Sequence, residues 1–582
     1  MMILIDAICW RRGVAALALI AAASLPSAAE EGLLGFETSS LSGNYLAGRY
    51  AGRLGDTDVA AEYFVQALRD DPSNHHLIER TFVLAVSSGD IAQAEEMAAL
   101  VLGFDAKHRL AQIVIGLKEF RNRRYGKAAE LFRKSDQSPI GELSAGLLTA
   151  WTAAAERNSK AAFNALDRLD KNEAFANFKS FHGGLIADLL DQRVRAEAFY
   201  RKAYEQAGNS LRVVQALGNF LERQGKASEA AEIYRQFLAA SESQPLVSEA
   251  LAGLEAGQKP KRLIADAAEG VAEVMFSIAS ALGDEQTLDI SLIYAQLALA
   301  PKKDFTLGYS LLGDIYEQSN RFDKAIEAYD VIAKNSALRG KADIEIAVNL
   351  DRLERSDEAI ARIDQVVGRE PKDYQAHLTR GDLLRSAKRF AEAGAAYDKA
   401  VALLGKPERK HWTVFYYRGI ALERSKQWER AEADFRQAIA LNPDQPLVLN
   451  YLGYSMVDKR IKLPEAMNMI RKAVELKPND GYVVDSLGWA HFQLGEYAEA
   501  VKHLERAVEL KPDDPIINDH LGDAYWRAGR KLEAKFQWQH ARDSKPEPEE
   551  LQKIDRKLAE GMADPPPVKP APKQTENSKS IN

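Results

Sequence analysis

Read for its apolar positions alone, the chain repeats itself. The skeleton of "LGWAHFQLGEYAEA" (487–500) returns as "LGDAYWRAGRKLEA" (521–534), 34 residues on, with Leu, Gly and the closing Ala at the same offsets. Registered on that alanine, the chain gives Ala60, Ala94, Ala128, Ala162, Ala196 and Ala230 at a strict 34-residue spacing. The series resumes at Ala325, Ala359, Ala393, Ala431, Ala466, Ala500 and Ala534, with a four-residue extension near 405–410 and a one-residue extension near 459–464. Four residues after many of these alanines comes a large side chain (Phe64, Phe132, Tyr200, Tyr234, Tyr329, Tyr397, Phe435, Trp538), and three further on usually a small or apolar one. Offsets of four and three put all of them on one face of a helix. Twelve residues before the alanine stands a glycine, as in Gly48, Gly116, Gly184, Gly218, Gly313, Gly419, Gly488 and Gly522, on an earlier helix that can then approach closely. Twelve residues after it, Pro72, Pro371, Pro443, Pro478, Pro512 and Pro546 stop the second helix, because proline lacks the N–H and clashes with the preceding turn. The predicted unit is helix, turn, helix, stop.

At 582 residues the chain is too long for one hydrophobic core, and a repeat array is the economical alternative. One helix pair cannot bury its apolar face alone, so like pairs stack and each covers the next. The pattern W-x2-L-G-x2-Y followed by A-x3-F-x2-A-x4-P, seen most clearly in "DSLGWAHFQLGEYAEAVKHLERAVELKP" (485–512), resembles the tetratricopeptide repeat. The resemblance implies an all-α, right-handed superhelical solenoid of about fourteen repeats: thirteen regular units and a weaker one at 267–301, where "SLIYAQLALAP" keeps a trace of the second helix. The organisation expected is an N-terminal array at 41–252, a degenerate repeat or hinge region at 253–305, and a C-terminal array at 306–548. Gly, Pro and clustered Lys/Arg in "GLEAGQKPKR" (253–262) break the period. The break reads either as a bend dividing the solenoid or as a longer surface loop in one continuous superhelix.

The ends read differently from the middle. Arg11 and Arg12, the apolar run Gly13–Leu25, Pro26 and the small Ser27-Ala28-Ala29 form a signal peptide at 1–29, predicting cleavage after Ala29 and a periplasmic destination. The sole cysteine, Cys9, would leave with it, so the mature chain has no disulfide, no sulfur ligand for zinc and no lipidation cysteine. Residues 564–582, "DPPPVKPAPKQTENSKSIN", have no apolar period and read as a disordered tail. A net charge of −7 and a pI near 5.9 are not the footprint of a nucleic-acid binder.

The sequence presents no G-x-S-x-G elbow, no H-E-x-x-H helix and no phosphate-cradling G-x-x-x-x-G-K-[ST], and the ten histidines are scattered. His75 and His76 point to different sides of a helix, and His491, His503 and His520 fall on separate helices, where they read as surface or packing residues. The chain is therefore expected to be no enzyme and to need no cofactor or metal.

What the resemblance offers instead is a groove. In tetratricopeptide repeats the first helix of each pair lines a concave surface, and its fifth, ninth, twelfth and thirteenth positions commonly touch ligand. Carried onto this chain, these positions place Tyr416, Asn450, Asp485 and Asp519 at the fifth, Tyr454, Trp489 and Asp523 at the ninth, Phe492 and Trp526 at the twelfth, and Arg527 at the thirteenth. Aromatic rings beside carboxylates suit an extended peptide with apolar, neutral or basic side chains. The segments 449–460, 484–500 and 517–534 also resemble a group of envelope tetratricopeptide proteins of Gram-negative bacteria, which includes an outer-membrane adaptor lipoprotein that brings cell-wall hydrolases to a carboxyl-terminal processing protease. That resemblance implies a scaffold for a protease and its substrates; the missing lipidation cysteine departs from it and puts membrane tethering in doubt. An assembly or export factor for an envelope polymer or outer-membrane machine is the alternative.

Overall fold

The structure is a computed structural model that describes residues 40–240 and 244–563. The signal segment read at 1–29 and the tail read at 564–582 lie outside the described residues. Among these residues there are thirty α-helices and no strand, arranged for most of the chain as antiparallel pairs.

The repeat register explains the packing. All thirteen closing alanines are fully buried, as are the eight aromatic side chains four residues later. Seven of these first-helix glycines face one of those rings: a Cβ added at Gly48, Gly116, Gly184, Gly218, Gly313, Gly419 or Gly522 would lie less than 3.0 Å from the ring of Phe64, Phe132, Tyr200, Tyr234, Tyr329, Phe435 or Trp538 respectively, while Gly488 faces Leu504 instead. The glycine thus does more than permit approach: it is the socket into which the ring of the second helix fits. Polar atoms on the rings find carboxylates, as where Tyr329 donates to Asp314 (2.7 Å), Tyr234 to Glu222 (2.7 Å) and the Trp538 indole to Asp523 (2.9 Å). The one-residue extension near 459–464 is absorbed by two left-handed residues, Arg460 (φ 55°) and Lys462 (φ 48°), in the turn between helices.

The chain divides into two compact units, one spanning Glu30–Leu383 and the other taking the chain from Leu384 onward. The stretch 253–305 lies inside the first unit, and the division falls within the helix Tyr374–Ser386.

In the first unit six helix pairs run in order: α1 (Leu41–Arg53) with α2 (Thr57–Asp70), α3 (His75–Ser88) with α4 (Ile91–Phe104), α5 (Arg109–Arg121) with α6 (Tyr125–Lys134), α7 (Pro139–Ala155) with α8 (Ser159–Asp167), α9 (Ala176–Leu189) with α10 (Arg193–Ala207), and α11 (Leu211–Arg223) with α12 (Ala227–Ala240). After α13 (Pro245–Glu255) and the helix-free stretch 256–266, α14 (Ala267–Ala281) and α15 (Leu288–Leu299) leave the stack. α14 packs on α7 and α9, and α15 on α3. Side chains extend the list: Arg109 of α5 donates to Tyr294 (3.4 Å), Arg121 of α5 to the Ala300 carbonyl (3.4 Å), and Arg212 of α11 to Glu273 (2.9 Å). The partners are the first helices of five consecutive pairs, so α14 and α15 fill the side those helices share, which is the concave face. The sequence of α14, "AAEGVAEVMFSIASA", is apolar or small nearly all round, as an enclosed helix must be. Gly270 lies against the buried Trp151 ring, whose indole donates to the enclosed His182 (3.1 Å). The unit continues through α16 (Thr306–Gln318), α17 (Phe322–Asp330), α18 (Arg339–Arg352) and α19 (Ser356–Arg369), and Lys324 of α17 reaches Asp58 of α2 at 2.7 Å.

The helix at the division is α20 (Tyr374–Ser386), and the second unit then follows as α21 (Phe390–Leu403), α22 (Trp412–Arg424), α23 (Trp428–Leu441), α24 (Pro446–Asp458), α25 (Leu463–Leu476), α26 (Gly481–Gln493), α27 (Tyr497–Leu510), α28 (Pro515–Arg527), α29 (Lys531–Asp543) and α30 (Pro548–Glu560). Proline occupies the first turn of α24, α28 and α30, where no intrahelical N–H is needed.

Candidate concave binding surface

The first helices α22, α24, α26 and α28 carry all ten residues that the repeat register marks as groove positions. Five of them are buried: Tyr416, Asn450, Asp485, Asp519 and Asp523. The other five, Tyr454, Trp489, Phe492, Trp526 and Arg527, are half-buried. Tyr416 packs edge-on against Tyr451 (5.9 Å, 90°) beside Phe435, and burial pushes its hydroxyl up in pKa. Burial and the carboxylates Asp485, Asp458 and Glu550 push the Tyr454 hydroxyl up likewise.

Trp489 is the centre of a three-ring stack. Phe492 lies on one side (4.7 Å, 12°) and His520 on the other (4.0 Å, 16°), which joins α26 to α28. His520 Nδ1 lies 2.9 Å from Asp485 Oδ1. Burial works against the imidazolium, but Asp485, Asp519 and Asp523 outweigh it and hold the His520 pKa above its ordinary value. The Trp489 indole N–H is buried with no partner.

At the end of this surface the chain meets itself. Lys557 of α30 places its ammonium 2.7 Å from both Asp519 Oδ2 and Asp523 Oδ1. Burial, then the neighbouring Asp519, raise Asp523 to about 6, against the pull of Lys557 and His520. Just past α30, the Trp526 indole donates to the Met562 carbonyl (3.3 Å) and Arg527 to the Ala563 carbonyl (2.5 Å). So Asp519, Asp523, Trp526 and Arg527 share one contact with residues 557–563, whereas Tyr416 and Asn450 lie away from it on α22 and α24.

Sequence reasoning missed His520 and Lys557. In the sequence His520 stands among scattered histidines, because its partner Asp485 is 35 residues away, on another repeat. Lys557 lies beyond 548, where the regular period of the array ends. A signal existed: Lys557 stands 34 residues after Asp523, on a helix that begins where a further first helix is due. Among the described residues no group of three or more His, Cys, Asp or Glu side chains is arranged to hold a metal ion.

These titrations predict opposite pH responses in the helices around His182 and in those around His520. In the first, burial lowers His182 to about 3, so its contribution is present above the ordinary histidine pKa and lost as pH falls below it. In the second, the raised His520 and Asp523 contribute stability at low pH that is lost as pH rises through their folded pKa values. Hydrogen exchange, corrected for its intrinsic pH dependence, should show α7 and α9 less protected and α26 and α28 more protected at pH 5.5 than at pH 7.5. A parallel change in both of these helix pairs would contradict this assignment.

The comparisons with known proteins agree on the repeat. Models described as tetratricopeptide repeat match residues 45–77, 308–330, 344–406 and 412–445, and one described as TPR repeat matches 488–529. A TPR repeat-containing protein of Pseudomonas aeruginosa is 28% identical over 191 residues, covering 32% of this chain and 31% of its own length. The human protein O-mannosyl-transferase TMTC3 is 26% identical over 236 residues, 37% of this chain and 25% of that protein. The chain thus spans a third or less of the length of these curated relatives. Among solved structures, a tetratricopeptide repeat protein from Parabacteroides merdae aligns at 15% identity and TM-score 0.37, over 44% of this chain and 97% of that one. Yeast Tom70 aligns at 16% identity and TM-score 0.32, over 89% and 95%. With the helix pairs, the glycine sockets and the matched segments in view, the chain carries tetratricopeptide repeats at 45–77, 308–330, 344–406, 412–445 and 488–529.

Proposed function

We propose that this chain is a non-catalytic periplasmic scaffold that binds partner proteins or extended peptides on the concave face of its second unit. In its specific form it is an adaptor that brings cell-wall hydrolases to a carboxyl-terminal processing protease. The observation that carries the binding role is the Phe492–Trp489–His520 stack flanked by Asp485, Asp519 and Asp523 on the first helices of adjacent repeats. Aromatic surface supplies area at low entropic cost, and the carboxylates favour neutral or basic segments. By contrast, the concave face of the N-terminal array is filled by α14 and α15, which leaves the second unit as the open candidate. The export part of the reading rests on the N-terminal residue pattern, and the adaptor part on the wording of the repeats at 449–460, 484–500 and 517–534.

The test is affinity capture from an envelope fraction with the full chain and with Trp489→Ala, after mild cross-linking. We expect a processing protease and a hydrolase to be recovered, with recovery reduced at least tenfold in the variant, as befits loss of an aromatic anchor worth ~2 kcal/mol. Far-UV circular dichroism should be unchanged. Equal recovery by both proteins would move the binding surface elsewhere, and recovery of polymer-export or outer-membrane assembly components would favour the alternative role.

A further inference from the structure

The contact at the end of the second unit describes a ligand. Two carboxylates hold one ammonium, and an indole N–H and a guanidinium hold two successive backbone carbonyls. We propose that residues 548–563 are a displaceable occupant of this surface, and that Asp519, Asp523, Trp526 and Arg527 receive in its place a lysine-bearing helix end from a partner protein. This rests on the reading of the concave face as the binding surface and names the chemistry it selects.

The hold on α30 is slight. Its one fully buried side chain is Ile554, with Leu558 and Met562 half-covered, whereas α14, which fills the other concave face, buries eight of its fifteen residues. α28, beneath it, buries nine of thirteen. Most of the specificity in the contact therefore comes from polar groups, and those are groups any chain can offer: a lysine and main-chain carbonyls. The local pattern adds two requirements. An apolar residue three positions before the lysine matches Ile554, and a glycine four positions after it matches Gly561, whose φ of +75° and closeness to the Trp526 ring leave no room for a side chain.

The fit of the resident segment is also incomplete. Asp519, itself buried, gives Oδ2 to Lys557 while its Oδ1 has no partner. A guest that supplied one more donor there would be preferred over the host segment. Withdrawing Lys557 removes the ammonium that Asp519 and Asp523 share and leaves only the His520 imidazole near them, so opening with a replacement cation is favoured over opening without one. The surface therefore works by exchange of one cation for another.

The experiment uses the full chain and a fluorescent peptide of the sequence of residues 548–563. Binding is followed by anisotropy to the wild-type protein, to a loosened variant with Ile554→Ala and Lys557→Ala, and to that variant with Asp519→Asn and Asp523→Asn added. We expect the loosened variant to bind the peptide at least tenfold more tightly than wild type. Peptide in which the lysine corresponding to Lys557 is replaced by glutamate, with that corresponding to Lys553 kept, should not bind, and the Asn changes should abolish binding. Equal affinity for wild type and loosened protein, or indifference to the lysine, overturns the proposal. Should the loosened variant misfold, hydrogen exchange on the wild type decides: α30 must exchange at least tenfold faster than α28, and equal protection overturns displacement. Because the peptide assay needs no envelope partner, failure to capture one sinks the broader scaffold reading and leaves this one standing. Failure of the peptide to discriminate does the reverse.

Discussion

Replacing Glu273 by leucine should destabilise the first unit by about 3–5 kcal/mol, the usual cost of removing one partner from a buried ion pair. Glu273 sits on α14 with no exposed surface, and both its oxygens are taken by the Arg212 guanidinium, at 2.9 and 2.5 Å. Without it, Arg212 keeps only the Gln215 side-chain oxygen (2.8 Å) in a place that water barely reaches. Two charges withdrawn from water together are tolerable; one alone is not. The double change Glu273→Leu with Arg212→Leu should therefore recover most of the loss. Urea unfolding with hydrogen exchange resolved to α14 and α11 measures both. A loss below ~1 kcal/mol for the single change would mean that α14 is not held inside the array as the contacts indicate.

Gly522→Leu should cost about 1–3 kcal/mol or more through overpacking in the second unit. The ring it would strike, Trp538, is fully buried and cannot retreat easily: its indole is tied to Asp523 and its face lies against Trp526 (5.3 Å). The strain would be passed to the residues that hold Lys557 and Met562, so α30 should lose protection before α27 does. Gly126→Ala is the control. Gly126 lies in α6 with nothing within 4 Å of an added Cβ, so the change should be neutral or stabilising by ~0.5–1 kcal/mol. Equal effects of the two changes would show that the socket at Gly522 is looser than the contact implies.

Much of the fold was legible in residue offsets, and the reason is one-dimensional order. In a stacked array each helix meets mainly its sequence neighbours, so a side chain's environment is set by residues about 34 positions away, and the repeat reports it. That is why the thirteen alanines and their following aromatics fell where the register put them. The groove positions were legible to the same extent: the register placed Trp489, Phe492, Asp519 and Trp526 along first helices. It could not say that the fifth positions would be largely buried, nor that His520 would lie between Asp485 and Trp489, because a stack across two helices depends on their separation. Lys557 escaped for a different reason. α30 is half a repeat, without the socket glycine or closing alanine that the register looks for, so only its distance from Asp523 betrays it.

The sequence by itself determined the helix pairs, their order, the sockets at Gly218 or Gly522 and the rings that fill them, because these follow from local propensity and a fixed period. Tertiary structure alone decided what occupies the concave faces. The segment 253–305 reads as a gap in the repeat, yet α14 and α15 pack into the array that precedes them, and α30 closes on α28 through Lys557. Both are long-range meetings of a curved surface with a helix of matching size and charge. Curvature accumulates from small rotations at every repeat, and no single stretch of sequence carries it.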